Sequence, residues 1–95
     1  MEDIKETPCG LTMKITPFLK DGLHARPAAK LAQEARRYTA DISLLSEDSA
    51  ADAKSMLDIM SLSPPVDAEL TLLAKGDDAR EALNGLEKCL TAFQD

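Results

Sequence analysis

The chain has 95 residues, enough for one domain with one core and little room for a second site. Its 17 acidic residues outnumber its 11 basic ones, for a formal net charge of -6. That balance argues against nucleic-acid or anionic-membrane partners and leaves proteins or small molecules. No segment approaches the ~20 apolar residues a spanning helix needs, so no membrane insertion is expected.

Met1 to Gly10 carries acidic residues, a proline and no apolar run of signal-peptide length, and reads as a flexible polar tail ahead of a single domain over 11–95. Cys9 and Cys89 have no CxxC or Cys/His metal spacing. They read as reduced thiols of a cytoplasmic protein, with no metal and no other cofactor implied.

Leu11, Met13 and Ile15 alternate with Thr12, Lys14 and Thr16, the period-2 pattern of a strand with one wet face, and Pro17 ends it. Phe18 to Gly22 read as a loop. Between Ala25 and Tyr38 the positions Ala28, Leu31, Ala32 and Ala35 recur at i, i+3, i+4 and i+7, which predicts an amphipathic helix. Asp41 to Leu45 alternates again, Ser46 to Ser49 marks a turn, and Ala50 to Ala53 reads as a short edge strand.

Ser55 followed by Asp58 matches a capping box, predicting a short helix over Met56 to Leu62 that Ser63-Pro64-Pro65 stops. Ala68 to Ala74 alternates as a further strand ended by Gly76. Asp78 with Glu81 offers a second capping pair, ahead of a stripe of Ala79, Ala82, Leu83, Leu86, Leu90 and Phe93. The order β-α-β-β-α-β-α predicts an α+β open-faced sandwich, a four-stranded antiparallel sheet with three helices on one face.

The one histidine, His24, stands in Gly22-Leu23-His24-Ala25-Arg26-Pro27-Ala28, just ahead of the first helix signal. Pro27 suits a first helical turn, and Gly22 permits a tight approach of the loop. A helix N-terminus with Arg26 beside it welcomes an anion and disfavours imidazolium. A neutral imidazole there is a nucleophile toward phosphorus whose product retains a high transfer potential, which is carrier chemistry. A helix-capping or half-buried histidine is the alternative on these residues alone. There is no P-loop, second histidine, Cys/His pair or metal cluster, so a stand-alone kinase is not expected. Whether the chain counts as an enzyme stays open, since a carrier is not a turnover catalyst.

Gly22 to Ala28 resembles the active-site signature of the HPr family, the histidine-containing phosphocarriers of the bacterial phosphoenolpyruvate:sugar phosphotransferase system. Lys54 to Leu62 is similar to that family's regulatory-serine segment, and the element order agrees from about Leu11 to Phe93. The resemblance implies that His24 accepts a phosphoryl group, on Nδ1, from phosphorylated Enzyme I and passes it to Enzyme II A components. It implies that Arg26 stabilises the phosphate, supported by the backbone at Gly22, Ala25 and Pro27. It also implies that Ser55 is a target of an HPr kinase/phosphorylase, where the residues alone give a plain N-cap.

Met56, Leu57, Ile59 and Met60 are more apolar residues than one face of a short helix buries, unless all are core. Leu57 and Met60, with Arg36 on the first helix, match the family's partner-facing positions, Met56 is a further docking candidate, and a monomer is expected. Asp21 near the histidine, Asp58 and Ser63-Pro64-Pro65 depart from the family's pattern. Asp21 is expected to raise the pKa of His24 or to oppose the phosphate. Alternatives are a nitrogen-related paralogue with a regulatory role, a Ser55-dependent regulatory binding module and a ferredoxin-like ligand-binding domain.

Overall fold

The computed structural model of the protein describes residues 4–16, 25–47, 49–62 and 69–92. Five strands, β1 (Ile4–Thr7), β2 (Gly10–Ile15), β3 (Asp41–Leu45), β4 (Ala50–Asp52) and β5 (Leu70–Lys75), form one sheet in the order β1-β2-β5-β3-β4. Every pairing is antiparallel. Three helices complete the fold: α1 (Ala25–Ala35), α2 (Met56–Leu62) and α3 (Ala79–Thr91).

Register puts the predicted apolar positions side by side. Met13, Leu72, Leu44 and Ala51 form one row across four strands, and Leu11, Ala74 and Ile42 form the next. This face meets Ala28, Leu31 and Ala35 of α1, Ile59 of α2, and Ala82, Leu83, Leu86 and Leu90 of α3 in one buried core. Thr12, Lys14, Ser43 and Thr71 alternate onto the other, open face. The expected α+β open-faced architecture is the observed one, with a strand added.

That added strand corrects the reading of Ile4 to Gly10 as part of a tail and of the sheet as four-stranded. Ile4 to Thr7 lies along β2, pairing Ile4 with Met13 and Thr7 with Gly10. Its burial does not alternate, because Ile4 and Thr7 are half-buried and Lys5 and Glu6 exposed, so no period-2 signal marks it. The unpaired edge of β2 and the turn at Pro8-Cys9 impose it instead. Thr7 Oγ1 donates to Gly10 O at 2.8 Å, and Cys9 N donates back to Thr7 Oγ1 at 3.2 Å. Gly10 has φ 134°, and a Cβ there would stand 2.6 Å from the backbone oxygen of Ala74.

Two helix ends differ from expectation. α1 stops at Ala35 rather than Tyr38, because Arg37 N→Glu34 O and Tyr38 N→Ala35 O close tighter three-residue turns. Asp78 precedes α3 as predicted, but its side chain makes no cap hydrogen bond. Its carboxylate accepts from Thr39 N at 2.9 Å and Ala40 N at 2.8 Å, clasping the turn between α1 and β3. These backbone donors hold the Asp78 carboxyl below the ordinary carboxylate range. Ser63-Pro64-Pro65, Ala68 and Phe93, and the loop predicted over Phe18 to Gly22, lie outside the described residues.

Candidate functional site

Register defines two ends of the sheet, and the candidate residues divide between them. At one end lie Ile15, Leu70, Leu45 and Ala50; at the other lie Leu11, Ala74, Ile42 and Asp52. The chain leaves β2 at the Ile15 end, runs through His24 and enters α1, which delivers it to Asp41 at the opposite end. An 11-residue helix covers about 16 Å of that path.

α1 begins at Ala25, so His24 is the residue immediately before the first helical one, as predicted. Arg26 and Pro27 fall in the first turn, where proline's missing N–H leaves no helical acceptor unpaired. Pro27 is buried and Ala28 fully so, which roots this turn in the core. No acidic residue occupies the first turn, leaving the positive end of the helix dipole unopposed by a residue of α1 itself. Gly22, Asp21 and His24 lie outside the described residues, as do the side chains of Ala25 and Arg26.

Ser55 sits at the other end of the sheet. Arg36, just past α1, donates from Nε to Lys54 O at 3.0 Å, and Lys54 Nζ donates to Tyr38 O at 2.9 Å. These reciprocal bonds fasten the Ser55 turn to the end of α1 remote from His24. Arg36 is therefore brought beside Ser55 and not beside the start of α1. Lys54 was missed as a positioning residue; its place next to the cap serine was the available signal.

Ser55 caps α2 through its side chain, with Asp58 N donating to Ser55 Oγ at 3.3 Å. Only that half of the predicted capping box forms. Ser55 N donates to Asp52 O at 2.9 Å, and the Asp58 carboxylate accepts from Asp52 N at 3.3 Å instead. The turn is thereby closed on itself, since Lys54 N also donates to Asp52 Oδ1 at 2.9 Å.

α2 starts at the Asp52 end and packs against α1, and the chain re-enters the sheet at Leu70, at the Ile15 end. It therefore runs back toward the end from which α1 begins. Ile59 is wholly buried, while Met56, Met60 and Leu62 pack partly against the core. Leu57 is 74% exposed, the one large hydrophobic side chain so exposed among the described residues. The surplus of apolar residues resolves into one core residue, two half-buried methionines and one exposed leucine.

Behind the site, Tyr38 Oη donates to Glu34 Oε2 at 2.8 Å, and Arg37 pairs with Glu34 Oε1 at 3.2 Å. Burial, then the Glu34 bond, push the Tyr38 hydroxyl above its ordinary pKa. A Cβ at Gly85 of α3 would collide with both Tyr38 Oη and Glu34 Oε2, so this mid-helix glycine leaves room for the Tyr38–Glu34 hydrogen bond. Cys9 is exposed and Cys89 half-buried, both free, and burial raises the Cys89 thiol. Among the described residues no His/Cys/Asp/Glu group is placed to hold a metal, and no helix is long and apolar enough to cross a membrane.

This architecture is that of the small α+β phosphocarriers. The solved structure of the histidine-containing phosphocarrier protein of Mycoplasma matches with a TM-score of 0.82 at 28% identity, over 85% of this chain and 92% of that one. HPr-C-His from Thermoanaerobacter tengcongensis matches with a TM-score of 0.81 at 34% identity, over 86% of this chain and 92% of that one. A family model described as "PTS HPr component phosphorylation site" matches residues 12–92, and the chain belongs to the HPr family of phosphotransferase-system phosphocarriers. It is 45% identical over 73 residues to the HPr-like protein Crh of Bacillus subtilis, covering 77% of this chain and 86% of that protein. It is 42% identical over 79 residues to the phosphocarrier protein HPr of Haloferax volcanii, covering 81% and 89%.

Proposed function

We propose that this phosphocarrier takes its phosphoryl group on His24 from phosphorylated Enzyme I and hands it to Enzyme II A components. The imidazole nitrogen forms a bond to phosphorus as the donor's bond breaks, and the transfer to the acceptor reverses the roles. Arg26 and the N–H groups of the first turn of α1 meet the charge of the phosphoryl oxygens, with Gly22 and Pro27 shaping the approach. The start of α1 at Ala25, immediately after the one histidine, is the observation that carries this reading. Leu57, Met56 and Met60 supply the partner's footing on α2, and Arg36 borders it at the far end.

The same reading makes Ser55 a regulatory target of an ATP-dependent HPr kinase/phosphorylase. The 45% identity to Crh favours a second role as a regulatory binding module acting through Ser55. The carrier is taken to work as a monomer. Relatives described as a swapped Crh dimer and an HPr dimer make that a point for measurement by light scattering.

The test is incubation with labelled phosphoenolpyruvate and Enzyme I. Acid-labile label is expected on the native chain and none on His24→Ala. Label that persists in the variant, or that never appears, would refute the carrier role.

A further inference from the structure

We propose that Asp58 opposes the phosphorylated state of Ser55, making this regulatory site self-limiting. The inference rests on the reading of Ser55 as a phosphorylation site and adds what this chain's own residues do to it. The modification transfers the γ-phosphoryl group of ATP: Ser55 Oγ bonds to phosphorus, the bond to ADP breaks, and the hydroxyl proton passes to a base of the kinase.

In the unmodified chain Ser55 Oγ accepts the Asp58 backbone N–H at 3.3 Å, so the hydroxyl lies against the residue that carries the carboxylate. That carboxylate is turned toward the same tight turn, where it accepts from Asp52 N at 3.3 Å. The Asp52 side chain closes the turn from its other side through Lys54 N at 2.9 Å. A phosphate on Oγ brings nearly two negative charges among these two carboxylates, well within one screening length.

Of the cations nearby, Lys54 Nζ is turned away to Tyr38 O, while the Arg36 guanidinium reaches to Lys54 O beside Ser55 and offsets part of the carboxylates' charge. Asp58 is also the group that occupies Asp52 N, so a phosphate seeking donors in this turn meets a carboxylate already holding one. Both acidic side chains are exposed, so the repulsion is screened and its effect is a bias, not a block.

The test uses the full chain with phosphoserine installed at position 55 during synthesis, and reads the second pKa of the phosphate by phosphorus NMR. Removing the Asp58 charge with Asp58→Asn should lower that pKa by about 0.2 to 0.5 pH unit, and Asp58→Glu should largely preserve it. Glu69→Gln, at the opposite end of the sheet, should leave it unchanged. An equal pKa in the native and Asp58→Asn chains overturns the proposal.

A parallel assay with ATP and a competent HPr kinase addresses the underlying reading. With ATP and ADP brought to equilibrium, a roughly 1.6- to threefold higher ratio of acid-stable phosphate to unmodified chain is expected for Asp58→Asn than for the native chain, the ratio to which that pKa difference corresponds. Equal ratios count against Asp58. Absence of phosphate from both chains would refute Ser55 as a target while leaving the NMR result to decide the role of Asp58.

Discussion

Leu57 and Ile59, two residues apart on α2, offer a test of whether docking separates from folding. Leu57 is 74% exposed, so Leu57→Ala removes little buried surface, and alanine is at least as good a helix former. The expected stability change is within about 0.5 kcal/mol. Ile59 has no exposed surface, so Ile59→Ala deletes core carbons and should cost roughly 2–5 kcal/mol.

In a docked complex the order reverses. Covering the Leu57 side chain is worth about 1.5–3 kcal/mol, of which truncation to alanine forfeits the larger part. That corresponds to a rise of about tenfold in KM for Enzyme I. The assay is the rate of phosphoryl transfer from phosphoenolpyruvate through Enzyme I as the carrier concentration is varied, beside urea denaturation of each variant. Leu57→Ala should raise KM at unchanged midpoint, and Ile59→Ala should lower the midpoint. An unchanged KM for Leu57→Ala, or a loss of stability like that of Ile59→Ala, would refute the reasoning.

Gly10→Ala forces a side chain into a φ of 134° and against the Ala74 carbonyl, a backbone atom that cannot swing aside. A loss of more than ~1 kcal/mol is expected from the conformation alone, read as a lower urea midpoint. Asp78→Asn tests the clasp on Thr39 and Ala40. Because the native carboxyl titrates below its unfolded value near 3.8, its stabilisation is complete above that pH and disappears as pH falls through the lower native value. The variant should be less stable at neutral pH and should show a flatter acid limb; parallel acid limbs in thermal melts would refute it.

Legibility in the sequence followed the range of the forces involved. The bounds of α2 and the stripe of α3 were readable because caps and periodicity are local, and Ala82, Leu83, Leu86 and Leu90 are all buried as the spacing required. β1 was not readable, since Ile4 to Thr7 has no alternation and is held by the edge of β2. Asp78 had the right position for a cap but found two backbone donors on a turn 38 and 39 residues away. At the site, the placement of His24 before the helix followed from Pro27 and the alanines. The separation of Ser55 from that helix start did not, because it depends on the register of β3, β4 and β5.

β1 also changes where the molecule can be held. A four-stranded sheet opening at Gly10 would send any preceding chain away from His24. The hairpin reverses it, since Ile4 pairs with Met13, close to the end of β2 from which the chain runs on to His24. A tether joined N-terminal to Ile4 therefore meets the sheet toward the Ile15 end of β2, the end from which the chain runs on toward α1, and not at the Gly10 end.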